Sequence, residues 1–115
     1  NPLQALVLLN DPTYVEAARV FAERVVREGG KSDAERLQFA YRVCLSRDVH
    51  PAEARLLTAL LNKHKAQYTA DEKAAAELLS VGQRQTPDGM NKAELAAWTS
   101  VTRVLLNLHE TIVRR

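Results

Sequence analysis

Cysteine occurs once, at Cys44, and aromatic residues make up only 5% of the 115 positions. A single thiol excludes an intrachain disulfide and leaves the redox compartment unread. It also excludes covalent haem attachment within this chain, which takes two cysteines followed by histidine. No apolar run reaches the ~18–20 residues that a membrane-crossing helix needs, so no membrane insertion is expected. Residues 3–9 are apolar apart from Gln4 but lack a basic region before them and a small-residue cleavage site after them, so they are not expected to be a signal peptide. Charge of one sign is missing too: 16 basic and 14 acidic residues are spread along the chain and leave a net +2. Despite a pI near 8.9, each helical segment mixes both signs, as in Arg19, Arg24 and Arg27 beside Glu16, Glu23 and Glu28. Such mixing predicts a solvated surface and no nucleic-acid partner.

What the chain does have is Ala and Leu in quantity, within a 46% apolar and 26% charged composition. These are strong helix formers, whereas β-rich domains draw on β-branched and aromatic residues. The length suits one domain, residues 1–115, with a single hydrophobic core. Because Asn1-Pro2-Leu3 leads straight into apolar sequence without an initiator Met, the chain is expected to be the C-terminal fragment of something longer.

The clearest single segment is the last one, residues 91–113. Asn91 with Glu94 three positions on is a capping-box pattern, and Leu95, Trp98, Val101, Leu105, Leu108 and Ile112 recur at steps of three and four. Val104, Leu106 and Val113 widen that stripe, which predicts a central helix contacted from several sides. Ahead of it, residues 2–9 read as a short helix apolar almost all round. Asp11-Pro12 caps the next, which runs to about Glu28 with an inner face of Tyr14, Val15, Ala18, Phe21, Ala22, Val25 and Val26. On it Glu23 and Arg27, four apart, are expected to pair. Gly29-Gly30 ends that helix, and Ser32 with Glu35 opens a third through Leu37, Ala40, Tyr41, Cys44 and Leu45. Pro51 opens a fourth, with Leu56, Leu57, Leu60, Leu61 and His64 on one face, and Asp71-Glu72 a fifth that stops at Gly82. Residues 83–89 are the longest polar linker. The expected fold is all-α: a compact bundle of five main helices plus one short N-terminal helix.

No catalytic constellation emerges. His50, His64 and His109 are far apart, with no pair at metal-ligand spacing, so no metal site is expected. Cys44 falls on an apolar helix face and reads as a packed, inert thiol. Gly29-Gly30 lacks the downstream Lys-Ser or Lys-Thr of a phosphate cradle. Glu94 is explained by its cap, and Glu110 follows His109 on a helix, where adjacent side chains do not face each other. Gln4, Asn10 and Asn107 are polar residues inside apolar segments; buried amides need partners, and these are expected to fix helix ends. Together with Glu110 they form the one candidate polar pocket.

Laid out in this way, the chain resembles the C-terminal domain of unknown function of large planctomycete multidomain proteins, many of which also carry a cytochrome-c-like domain. The resemblance rests on Pro2-Leu3-Gln4-Ala5-Leu6-Val7-Leu8-Leu9-Asn10-Asp11-Pro12 with Glu16-Ala17-Ala18-Arg19 at the front. At the back it rests on Glu94-Leu95-Ala96-Ala97-Trp98-Thr99, Leu105-Leu106-Asn107-Leu108 and Glu110-Thr111. Ser46-Arg47 followed by Pro51 and Glu53, and Leu78-Leu79-Ser80-Val81-Gly82, also look like the family. Asn1 and His109 depart from it, standing where the family tends to have Thr and Asp. The resemblance implies an exported parent protein whose upstream domains bind haem or carbohydrate, and it supplies no catalytic residue to carry over. The expected function is a non-catalytic accessory or interaction domain whose partners are upstream domains of the same chain. The alternative is a domain that contributes part of a ligand pocket to a carbohydrate-degrading or redox enzyme. No cofactor is expected in this domain, any haem belonging upstream, and homo-oligomerisation is left open.

Overall fold

Asp11 stands in extended backbone and its carboxylate accepts the N–H groups of Thr13 and Tyr14 at 2.9 and 3.4 Å, which starts α1, Pro12–Glu28. Four further helices follow in the computed structural model, which describes residues 11–82 and 89–113, with side chains through His109: α2, Asp33–Leu45; α3, Pro51–Ala70; α4, Glu72–Leu79; and α5, Lys92–Val113. Among the described residues there is no strand, and the five main helices expected from the sequence are present with an all-α architecture. The expected short helix over residues 2–9 lies outside the described residues. No helix of the described chain is long and apolar enough to cross a membrane.

The start signals are local and behave as chemistry dictates. Ser32 Oγ accepts the Glu35 N–H at 3.1 Å to open α2, Asp71 accepts the Ala74 N–H at 3.0 Å to open α4, and Asn91 accepts the Glu94 N–H at 2.9 Å to open α5. Each bond satisfies one donor that the first helical turn leaves without an intrahelical partner. One half of the expected box at Asn91 is redirected: the Glu94 carboxylate accepts from Arg36 of α2. A turn between α1 and α2 permits that contact. Gly29 continues α1 in helical geometry while Gly30 takes φ 113°, and a Cβ on Gly29 would stand 3.0 Å from Arg36 Cα. At the other end of α2, Ser46 takes the left-handed conformation at φ 58°.

The last helix is central, as its stripe predicts. It packs against all four others, most extensively against α1 and α3. Every residue from Leu95 through Thr102 is buried, so this stretch of α5 has no solvent face. Trp98 is 0% exposed there, amid Leu95, Val101 and Leu105 of its own helix and Ala22, Val25, Tyr41, Leu57, Leu61 and Leu79 in the core the other four supply. Thr99, Ser100 and Thr102 sit in this all-round contact because their hydroxyls reach carbonyls. Thr99 donates to Leu95 at 2.8 Å, and Thr102 donates across the interface to Ala18 of α1 at 2.7 Å. Small side chains on α1, Ala18 and Ala22, leave room for that approach.

Two features of the inner faces differ from expectation. Leu56 is 72% exposed, because α3 is covered along one side only, the side of Leu57 and Leu61. Arg19 and Glu23, in contrast, are buried rather than solvated, at 0% and 2% exposure. They adjoin Ala18 and Ala22 along α1, and four residues apart they pair at 3.5 Å. Glu23 is therefore engaged by Arg19 and not by Arg27, while Arg24 pairs with Glu28 at 3.4 Å on the outside.

Candidate functional site

At the corner between α2 and α3, Arg47 donates to both oxygens of Glu53, at 2.8 and 2.9 Å, and its guanidinium stacks 5.2 Å over the Tyr41 ring. The same carboxylate accepts the His50 N–H at 3.1 Å and so closes the first turn of α3. The bidentate bond from Arg47 is the main reason the Glu53 carboxyl is held down to about 2. Burial, followed by the neighbouring Glu53 charge, pushes the Tyr41 phenol up to about 12. Arg47 and Glu53 are spent on each other, so this corner is a clasp between helices. His50 with Glu53 three residues later is a capping pattern that the sequence reading passes over, since its first residue is not Ser, Thr, Asp or Asn.

A second cluster is invisible in the sequence. His64 Nδ1 lies 2.7 Å from Ser100 Oγ, joining α3 to α5, and Tyr68 meets the imidazole edge-on at 5.9 Å between centroids. Burial is the main cause that pulls the His64 pKa below its ordinary value, with Lys63 and Arg103 adding to it. A serine beside an imidazole is the beginning of a nucleophile and base pair. The rest of such a site is missing among the described residues. No carboxylate bonds His64, and Ser100 lies mid-helix at 9% exposure with its hydroxyl also directed at the Ala96 carbonyl, 3.4 Å away.

Cys44 lines a shallow apolar groove with Phe21, Val43, Leu106 and His109. Its thiol donates to the Leu105 carbonyl at 3.5 Å, and burial raises its pKa, in keeping with an inert thiol. No three of His, Cys, Asp and Glu gather to hold a metal ion among the described residues. Of the candidate polar pocket, Asn107 is half-buried on α5. Gln4, Asn10 and the Glu110 side chain lie outside the described residues.

Another concavity lies elsewhere, a cleft of about 330 Å³ where the end of α3 and the first turns of α4 and α5 converge. Tyr68 and Thr69 enter it from α3, Glu72 and Ala75 from α4, and Asn91, Lys92 and Ala93 from the start of α5. The ties that hold this end together lie close by in the chain: Lys65 of α3 bonds Asp33 at 2.8 Å, and Arg36 joins α2 to Glu94. Those ties consume Asp33, Arg36, Lys65 and Glu94 but neither Glu72 nor Lys92. Sequence reading assigns Glu72 to the helix dipole alone, and nothing local in the chain brings it near Lys92.

Residues 1–61 match the sequence model of a family described as PSD1, protein of unknown function (DUF1553). The match takes in α1, α2 and the first half of α3, and with them the Arg19–Glu23 pair and the Arg47–Glu53 clasp. Neither the curated proteins nor the solved structures contain a match.

Proposed function

Because the chain belongs to the PSD1 family of proteins of unknown function, we propose that it is a helical accessory domain, without chemistry of its own, that docks against other domains of its parent protein. The carrying observation is how its strongest polar groups are used. Arg47 and Glu53 clasp a corner, Arg19 and Glu23 neutralise each other inside the bundle, and the hydroxyls of Thr99 and Thr102 bond carbonyls. Where a base and a nucleophile do meet, at His64 and Ser100, the serine is enclosed and the base has no orienting carboxylate among the described residues.

The resemblance to planctomycete multidomain proteins supports placing the parent outside the cytoplasm, with haem or carbohydrate handled by an upstream domain. Residues 2–9, apolar nearly throughout, have the composition of an interdomain junction. The test is association. The purified chain and the separately produced upstream part of its parent should co-elute from a sizing column, and the chain alone should turn over no glycoside, sulfate ester or redox dye. Turnover by the chain alone that disappears in Ser100→Ala would overturn the reading. A second reading, a domain that lends part of a ligand pocket to a carbohydrate-degrading or redox enzyme, is favoured by one observation, the α3–α4–α5 cleft.

A further inference from the structure

The cleft at the start of α5 carries two charges that no side chain engages among the described residues. Glu72 and Lys92 line it from different helices, and neither has a hydrogen-bond or ion-pair partner among the described residues, not even the other. Glu72 has a local explanation, since a carboxylate in the first turn of α4 meets the positive end of that helix. Lys92 has none. It is the first residue of α5, where a cation meets the same positive end and is disfavoured. A residue that breaks a local rule without a structural return marks a place where something other than folding sets the choice. Ala75, Ala93 and Tyr68 line the same cleft and supply apolar surface to it, alongside the polar Thr69 and Asn91.

We propose that this cleft binds a small zwitterion of amino-acid type, its ammonium on Glu72, its carboxylate on Lys92, and its carbon skeleton against Ala75, Ala93 and Tyr68. The size agrees, since about 330 Å³ lies at the lower end of the range for small-molecule pockets. Opposite unspent charges at one cleft select against simple anions and simple cations alike, because each leaves one wall charge uncompensated. The inference takes up the second reading above and concerns this chain's own residues, so its failure leaves the association test between domains unaffected.

Free amino acids, screened one at a time at millimolar concentration against the whole chain, are the probes, with thermal melting first and calorimetric titration of the best binder second. The expected result is a Kd below about 1 mM for at least one of them. Glu72→Gln and Lys92→Met should each weaken it about tenfold, as should capping the corresponding end of the ligand as its N-acetyl or amide derivative. Glu77→Gln, outside the cleft, should leave it unchanged. Both cleft residues are exposed, and far-ultraviolet circular dichroism establishes that the variants fold. The proposal is overturned if no amino acid binds below that limit, or if binding survives both substitutions undiminished.

Discussion

Replacing Arg19 by Met leaves the Glu23 carboxylate inside the bundle, 2% exposed, without the guanidinium that lies 3.5 Å away. Glu16, a second acid near Arg19 at 3.7 Å, is a quarter exposed and keeps contact with water, whereas Glu23 is enclosed. Breaking one side of a buried pair costs about 3–5 kcal/mol, most of it the burden of the stranded charge and little of it the pair's own net worth. Against the roughly 5–15 kcal/mol that holds a small domain together, such a loss leaves Arg19→Met marginal or unfolded at room temperature. The double variant should behave in the opposite way. Arg19→Met with Glu23→Leu removes both charges, keeps the volume, and should recover at least half of the loss. Urea unfolding followed by circular dichroism, with the slope checked for constancy, measures both. A single variant costing under about 1 kcal/mol would refute the assignment of a buried, mutually neutralised pair. So would a double variant no more stable than the single one.

Further outcomes follow from the same geometry. Trp98→Ala, at a position with 0% exposure in the middle of α5, should cost about 3–5 kcal/mol in the same urea assay. Glu53 is held at about 2 when folded, below its ordinary 4.5, so its contribution is present above pH 4.5 and lost as pH falls from there towards 2. Urea midpoints taken from pH 6 to pH 2 should fall less steeply for Glu53→Gln than for the parent chain. His64 is displaced below 6.5 mainly by burial, so the unfolded chain takes up its proton first and stability should decline as pH drops below that value. His64→Gln should remove that part of the slope, and proton resonance titration of the imidazole should place its midpoint under 6.5.

Much of the fold is legible because its signals are local. Asp11-Pro12, Ser32 and Asn91 each act within three residues of themselves, and the caps appear where their chemistry predicts. The central place of α5 is legible for a different reason: an apolar stripe wider than one partner helix can cover demands several. What stays hidden depends on which neighbour arrives. Arg19 and Glu23 read as surface charges because their types are normally solvated; the trace of their burial is that they adjoin Ala18 and Ala22, which are themselves fully buried. Leu56 reads as core because it adjoins Leu57, yet one step along a helix turns a side chain by about 100°, beyond the side that α3 buries. His64 and Ser100 stand 36 positions apart, and the cleft joins Glu72 to Lys92 across a linker, so no spacing rule connects either pair.

Every other helix leans on α5, and α5 is the last of the five to be synthesised. On the ribosome, α1 to α4 emerge able to touch one another at their corners but with the broad apolar faces that α5 covers still open to water. The core can therefore close only after residues 95–105 have cleared the exit tunnel, which ties completion of this fold to the end of its synthesis.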